Sequence, residues 1–223
     1  MDIKLSLKGI TKAYGKTAAL RGFSYDFTNG IYVLLGENGS GKSTLMNIMA
    51  LAITRDSGSI QFKNVDIEKC KKEYISKLGF LPQKYGIYTS FTAQEYLRYI
   101  SILKNVPRKE SYEQNRQLLD MMGLYNVRND KVRTFSGGMI QRLALAQAFV
   151  GKPDIILLDE PTNGLDESHR MALRNYLSEN GSNKTIVICT HVSSDFDNVA
   201  HETIFLDKGR MAERAICELP LYY

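Results

Sequence analysis

Nine residues constrain this chain more than any others. Gly36-Glu37-Asn38-Gly39-Ser40-Gly41-Lys42-Ser43-Thr44 follows an unbroken apolar run, Ile31 to Leu35, and leads into a helical pattern from Ser43 to about Ala52. An apolar run without alternation is a strand covered on both faces, which puts the turn at the edge of a buried parallel sheet. The glycines permit a tight backbone whose successive N–H groups point inward at one anion, and the N-terminus of the next helix is aimed at the same place. The run reads as a phosphate loop. Gly36, Asn38, Gly39, Ser40, Gly41 and Thr44 would line a polyphosphate, Lys42 would reach its β and γ phosphates, and the Ser43 hydroxyl would ligate magnesium.

A second apolar strand, Ile155 to Leu158, delivers Asp159 and Glu160 at its C-terminal end, where α/β sheets hold their ligands. Two adjacent acids suit two tasks. Asp159 would hold the magnesium through water, and Glu160 would polarise the water that attacks the γ phosphate.

Ahead of the loop, Ile3, Leu5 and Leu7, then Phe23, Tyr25 and Phe27, alternate as half-exposed strands; Gly58 to Phe62 and Leu78 to Leu81 are shorter ones. From Thr92 the period turns helical. Thr92 and Glu95 form a capping-box pair, a second helix is expected from near Ser111 to Gly123, and a third from Ser136 to about Val150. After Pro153 strands and helices alternate, with helices expected at Ser168 to Leu177 and near Asp195, and a strand pair around Lys208-Gly209. Such alternation argues a parallel sheet.

The 223 residues are 43% apolar and 24% charged, which excludes a disordered chain. No apolar run approaches the roughly 18 residues of a membrane span. Met1 to Lys8 alternates charge with aliphatic residues, unlike a secretory leader, so a cytoplasmic product is expected. A net charge of +5 selects no anionic partner, and the cluster Lys69, Lys71, Lys72 and Lys77 reads as a solvated helix face. Cys70, Cys189 and Cys217 are too dispersed for a disulfide framework or metal knuckle and read as reduced. His169 and His201 read as solvated.

Phe135-Ser136-Gly137-Gly138-Met139, followed by Gln141-Arg142, resembles the signature motif of the ATP-binding cassette family. Its serine and two glycines at a helix N-terminus expose N–H groups and a hydroxyl to a phosphate. Other positions resemble that family one at a time. Gln83 resembles the glutamine that touches magnesium or the attacking water, and Asp166 the loop that crosses to the opposite subunit. His191 resembles the switch histidine that bonds the γ phosphate, and Tyr14 the aromatic that stacks on adenine. The resemblance covers nearly the whole chain, with its elements in family order. Met139 departs from it, standing where the family usually has a glutamine, and a thioether donates no hydrogen bond.

The resemblance implies an α/β fold: a P-loop NTPase (RecA-like) core with an antiparallel β subdomain, in 1–90 and 151–223, and an inserted α-helical subdomain, in 91–150. It implies an ATPase using ATP and Mg2+ that powers solute transport, with export favoured by Met139 and by the short stretch after His191. The chain would work as a homodimer or with a related cassette, in which Ser136, Gly137 and Gly138 of one copy close on ATP held by the other. A separately encoded transmembrane permease subunit would dock near Gln83 to Phe91, with Tyr85, Tyr88 and Phe91 as contacts, holding the protein peripherally at the inner face of the cell membrane. No nucleic-acid partner is expected. The alternative is a cassette ATPase without a membrane partner, such as those of iron-sulfur assembly. A small GTPase would need Asn-Lys-x-Asp, and Asn183-Lys184-Thr185-Ile186 lacks the acid.

Overall fold

A computed structural model describes residues 4–212. β1 (Leu5–Tyr14) and β2 (Thr17–Phe27) form a hairpin around Gly15, and the chain then enters the core through β3 (Gly30–Leu35) and α1 (Lys42–Met49). β4 (Ser57–Phe62) and β5 (Val65–Asp66) return to the hairpin and complete a four-stranded antiparallel sheet, ordered β2-β1-β4-β5. The hairpin strands run further than the alternating residues suggested. Register shifts between Leu7 and Ile10 and between Lys12 and Ala13 break the period-two pattern that would have marked them.

α2 (Lys71–Ser76) and β6 (Leu78–Leu81) lead into the helical subdomain, built from α3 (Ala93–Leu103), α4 (Arg108–Met121) and α5 (Gly137–Phe149). The chain finishes with β7 (Ile155–Asp159), α6 (Glu167–Asn180), β8 (Thr185–Cys189), β9 (Glu202–Asp207) and β10 (Arg210–Met211). The second sheet has six strands, ordered β10-β9-β3-β8-β7-β6; all its pairs are parallel except β9 with β10.

Strand alternation divides the apolar side chains between two cores. Ile31, Val33, Ile156, Leu158, Ile186 and Ile188 face α3, α4, α5 and α6. Tyr32, Leu34, Ile155, Leu157, Val187 and Cys189 face α1 and the antiparallel sheet. Both faces of the central strands are thereby covered, as their unbroken apolar sequence requires.

The capping box forms, with Thr92 Oγ1 accepting from the Glu95 N–H at 3.1 Å and Glu95 Oε2 from the Thr92 N–H at 2.7 Å. Two helix starts differ from expectation. α4 begins directly behind Pro107, whose fixed φ suits a helix entrance, and the Ser111 hydroxyl bonds back to the Arg108 carbonyl from within the first turn. α6 begins before Ser168 because Asp166 is its N-cap. α2 exposes Lys71 and Lys72 and buries Tyr74, as expected of a solvated face. Cys70 and Cys189 are free thiols, while Ile3 and Cys217 lie outside the described residues. Among the described residues no helix is long and apolar enough to cross a membrane.

Candidate nucleotide-binding and catalytic site

The C-terminal ends of four neighbouring strands converge. β3 runs into the glycine loop, β8 into Thr190 and His191, β7 into Glu160, and β6 into Pro82 and Gln83. The register Leu34–Cys189–Asp159, with Leu81 beside Leu158, sets these endpoints side by side.

The loop is built around positions that exclude a side chain. Gly36 has φ +154°, and a Cβ there would stand 2.2 Å from the Leu206 carbonyl oxygen; at Gly41, φ +107°, it would stand 2.4 Å from that of Ala19. Lys42 is buried, and its ammonium donates to the carbonyls of Gly36 at 2.5 Å and Glu37 at 2.9 Å. It therefore curls over the loop, where phosphate oxygens could replace those carbonyls. Ser40 Oγ is buried with no hydrogen-bond partner among the described residues. Asn38 and Gly39 are exposed, while Ser43 and Thr44 are half-buried in the first turn of α1.

Asp159 is buried, and among the described residues neither of its carboxylate oxygens has a nitrogen or oxygen hydrogen-bond partner. An unpaired buried carboxylate is costly, and hard oxygen donors of this kind fit a magnesium ion. Burial, then the Asp159 charge, pushes the neighbouring Cys189 thiol up. Glu160 is also buried and holds φ +53°, a conformation that costs an L-residue about 1 kcal/mol. Its N–H donates to the Cys189 carbonyl at 2.8 Å, and its Oε1 lies 3.0 Å from Nε2 of His191. Burial raises the Glu160 carboxyl above its ordinary range, and His191 partly offsets that.

Tyr14 stands half-exposed at the hairpin end, with the Lys12 ammonium 5.7 Å from its ring. Gln83 is exposed beyond β6. Ser136 caps α5, its hydroxyl accepting from the Met139 N–H at 3.3 Å. Gly137 is exposed, Gly138 half-buried, and the Met139 side chain packs against the apolar core of the helical subdomain. A Cβ on Gly138 would stand 3.3 Å from the Gly164 carbonyl, so the loop holding Asp166 lies against the start of α5. Asp166 Oδ1 accepts from the His169 N–H at 3.0 Å and the Ser168 hydroxyl at 2.8 Å, which holds its carboxyl far below the usual range.

The expectation of a solvated His169 is corrected. Its Nδ1 lies 2.6 Å from Asp166 Oδ1 and its Nε2 2.7 Å from Arg142, which also donates to the Met122 carbonyl at 2.9 Å. The bridge ties the loop before α6 to α5 and to the end of α4. His201 is exposed but not free, packing edge-on to Tyr32 with ring centroids 5.8 Å apart. Gln141, to which the sequence assigns no separate role, donates to the Glu160 carbonyl at 3.5 Å and accepts from the Tyr85 hydroxyl. Tyr85 is thus engaged inward, while Tyr88 stays exposed beside Phe91 and Tyr99.

A family model described as ABC transporter matches residues 20–163. The chain belongs to the ABC transporter family. This cassette is 31% identical over 209 residues to the linearmycin resistance ATP-binding protein LnrL of Bacillus subtilis, covering 93% of this chain and 67% of that protein. It is 33% identical over 195 residues to the lipoprotein-releasing system ATP-binding protein LolD of Bacteroides fragilis, covering 84% and 90% respectively. Its fold matches a dimeric structure of a post-hydrolysis state of the ATP-binding cassette MJ0796 bound to ADP and Pi, with TM-score 0.81, 27% identity and coverage of 94% and 97%. The cassette is an ATPase, forming ADP and phosphate, and is the ATP-binding subunit of an ABC transporter.

Proposed function

We propose that this ATPase subunit powers export as one half of a head-to-tail dimer, with a second copy or a related cassette. ATP would lie on Gly36 to Thr44 of one copy, its adenine against Tyr14, and Ser136 to Gly138 of the other copy would close over its γ phosphate. The observation that carries the reading is the division of the site. The phosphate loop sits at the end of β3, whereas Ser136 and Gly137 are exposed on the helical subdomain, and among the described residues no hydrogen bond joins the two. Gly164 against Gly138 supports a role for Asp166 at the same seam.

Within one half-site, Lys42 would exchange its loop carbonyls for β and γ phosphate oxygens. Glu160, made more basic by burial, would accept the proton of the attacking water, and His191 would bond the γ phosphate while holding Glu160. Magnesium, held by Ser43, Gln83 and Asp159, would offset the negative charge that develops on the transferring group. ATP would close the dimer, and hydrolysis would reopen it by removing the phosphate that bridges the copies. A transmembrane permease subunit would dock over exposed Tyr88 and half-buried Phe91, holding the cassette peripherally at the inner face of the membrane. Export is supported by the relatives, one named for lipoprotein release and one for linearmycin resistance.

Light scattering on Glu160→Gln protein tests the shared site: ATP with magnesium should double the mass, and adding Ser136→Arg should prevent this. Equal dimerisation with Ser136→Arg, or tight ATP binding by a protein that stays monomeric, excludes it. The metal assignment is checked by melting. Magnesium added to the ADP complex should raise the melting temperature of the parent and not of Asp159→Asn, which is expected to melt no lower than the parent without metal.

A further inference from the structure

Away from the nucleotide site, α3 and α4 and the turn after them enclose a cavity of about 220 Å³ in the helical subdomain. Arg98 of α3, Arg108 and Arg116 of α4, and Arg128 beyond it all line this cavity, and no aspartate or glutamate does. On α4, Arg108, Tyr112 and Arg116 recur at every fourth residue and so share one face. Among the described residues, the one carboxylate within ion-pair distance of these guanidiniums is that of Glu113, 3.9 Å from Arg116 and solvated like it. Arg128 is fixed in place: it donates to the Tyr125 carbonyl at 2.9 Å and lies 4.1 Å from the centre of that ring. Arg116 approaches the same ring at 5.8 Å.

Arg98, Arg108 and Arg116 are exposed and Arg128 is half-buried; with one solvated carboxylate beside four like charges, a multivalent anion among them relieves their remaining repulsion. Guanidinium forks match phosphate oxygens, and a phosphate monoester offers three terminal acceptors where a carboxylate offers two. The cavity has room for roughly seven waters, enough for a phosphate with a short attached group. We propose that this cavity is a second, separate anion site that takes a phosphate-bearing group, either a small phosphorylated molecule or the headgroup of an anionic phospholipid.

The test uses the full chain saturated with ADP, so that the phosphate loop is filled. Pyrophosphate binding is followed by calorimetry, and sedimentation with phosphatidylcholine vesicles is measured with and without phosphatidic acid, whose headgroup is a phosphate monoester. Arg98→Gln/Arg128→Gln should weaken the productive probe about tenfold or more, with ATP turnover unchanged. Lys71→Gln/Lys72→Gln, on exposed α2, controls for the loss of two charges and should bind like the parent. Pyrophosphate binding alone supports a free ligand, and arginine-dependent vesicle binding supports a headgroup. No binding of either probe, an equal loss in the lysine control, or binding only of polyglutamate overturns the proposal, the last in favour of an acidic protein partner.

Discussion

Replacing Glu160 by Gln is expected to lower ATP turnover by about 10²- to 10⁴-fold while leaving ATP binding intact. The amide keeps the shape of the side chain and its neighbour His191 but cannot accept the proton of the attacking water. Direction of titration adds a second readout. Burial raises the folded-state pKa of Glu160 above the ordinary 4.5, so the neutral acid is favoured by folding. The associated stability is fully present below the unfolded value and lost as pH rises through the raised folded value. At neutral pH the Gln variant is therefore expected to melt no lower than the parent. The acid limb of the parent's pH–rate profile should lie above 4.5. Steady-state turnover and scanning calorimetry check both; undiminished turnover would remove Glu160 from its role.

Gly79→Ala is expected to cost about 3 kcal/mol of stability or more. β6 passes so close to the end of α5 that a Cβ at residue 79 would stand 1.9 Å from the Ala148 carbonyl oxygen and 3.0 Å from the Pro153 ring. The nearer atom is backbone in a packed helix and cannot rotate away. The helical subdomain would have to move off edge strand β6, which leads into Gln83. Gly86 provides the comparison, since a Cβ there meets nothing within 4 Å; its Ala variant should stay within about 0.5 kcal/mol of the parent. Urea unfolding of the two variants separates close approach from any general effect of losing a glycine.

Most of the fold was legible because it is written in contiguous segments. Ile31 to Leu35, Ile155 to Leu158 and Ile186 to Cys189 are apolar at every position, and the structure buries all of them but the half-buried Leu35 on the two faces of one parallel sheet. The glycine loop was equally plain, since a tight turn between such a strand and a helix leaves few alternatives. The start of α4 lies three residues before the expected Ser111, and that of α6 one residue before the expected Ser168. Serines that can cap stand near both, and only the assembled backbone shows that Pro107 and Asp166 occupy those ends.

The sequence by itself determined the side chains available at each strand end: a glycine-rich loop with a lysine, two acids, a glutamine and a histidine. Tertiary structure alone decided which side chains meet across elements. His169 joins Asp166 to Arg142 across 27 residues of chain, and Tyr85 reaches Gln141 across 56. Arg98 and Arg128, unremarkable among scattered basic residues, come to line one cavity. Periodicity reports which face of an element is buried, but not which other element covers it. Those pairings follow from how α3 to α6 pack on the sheet, and packing is a property of the whole chain.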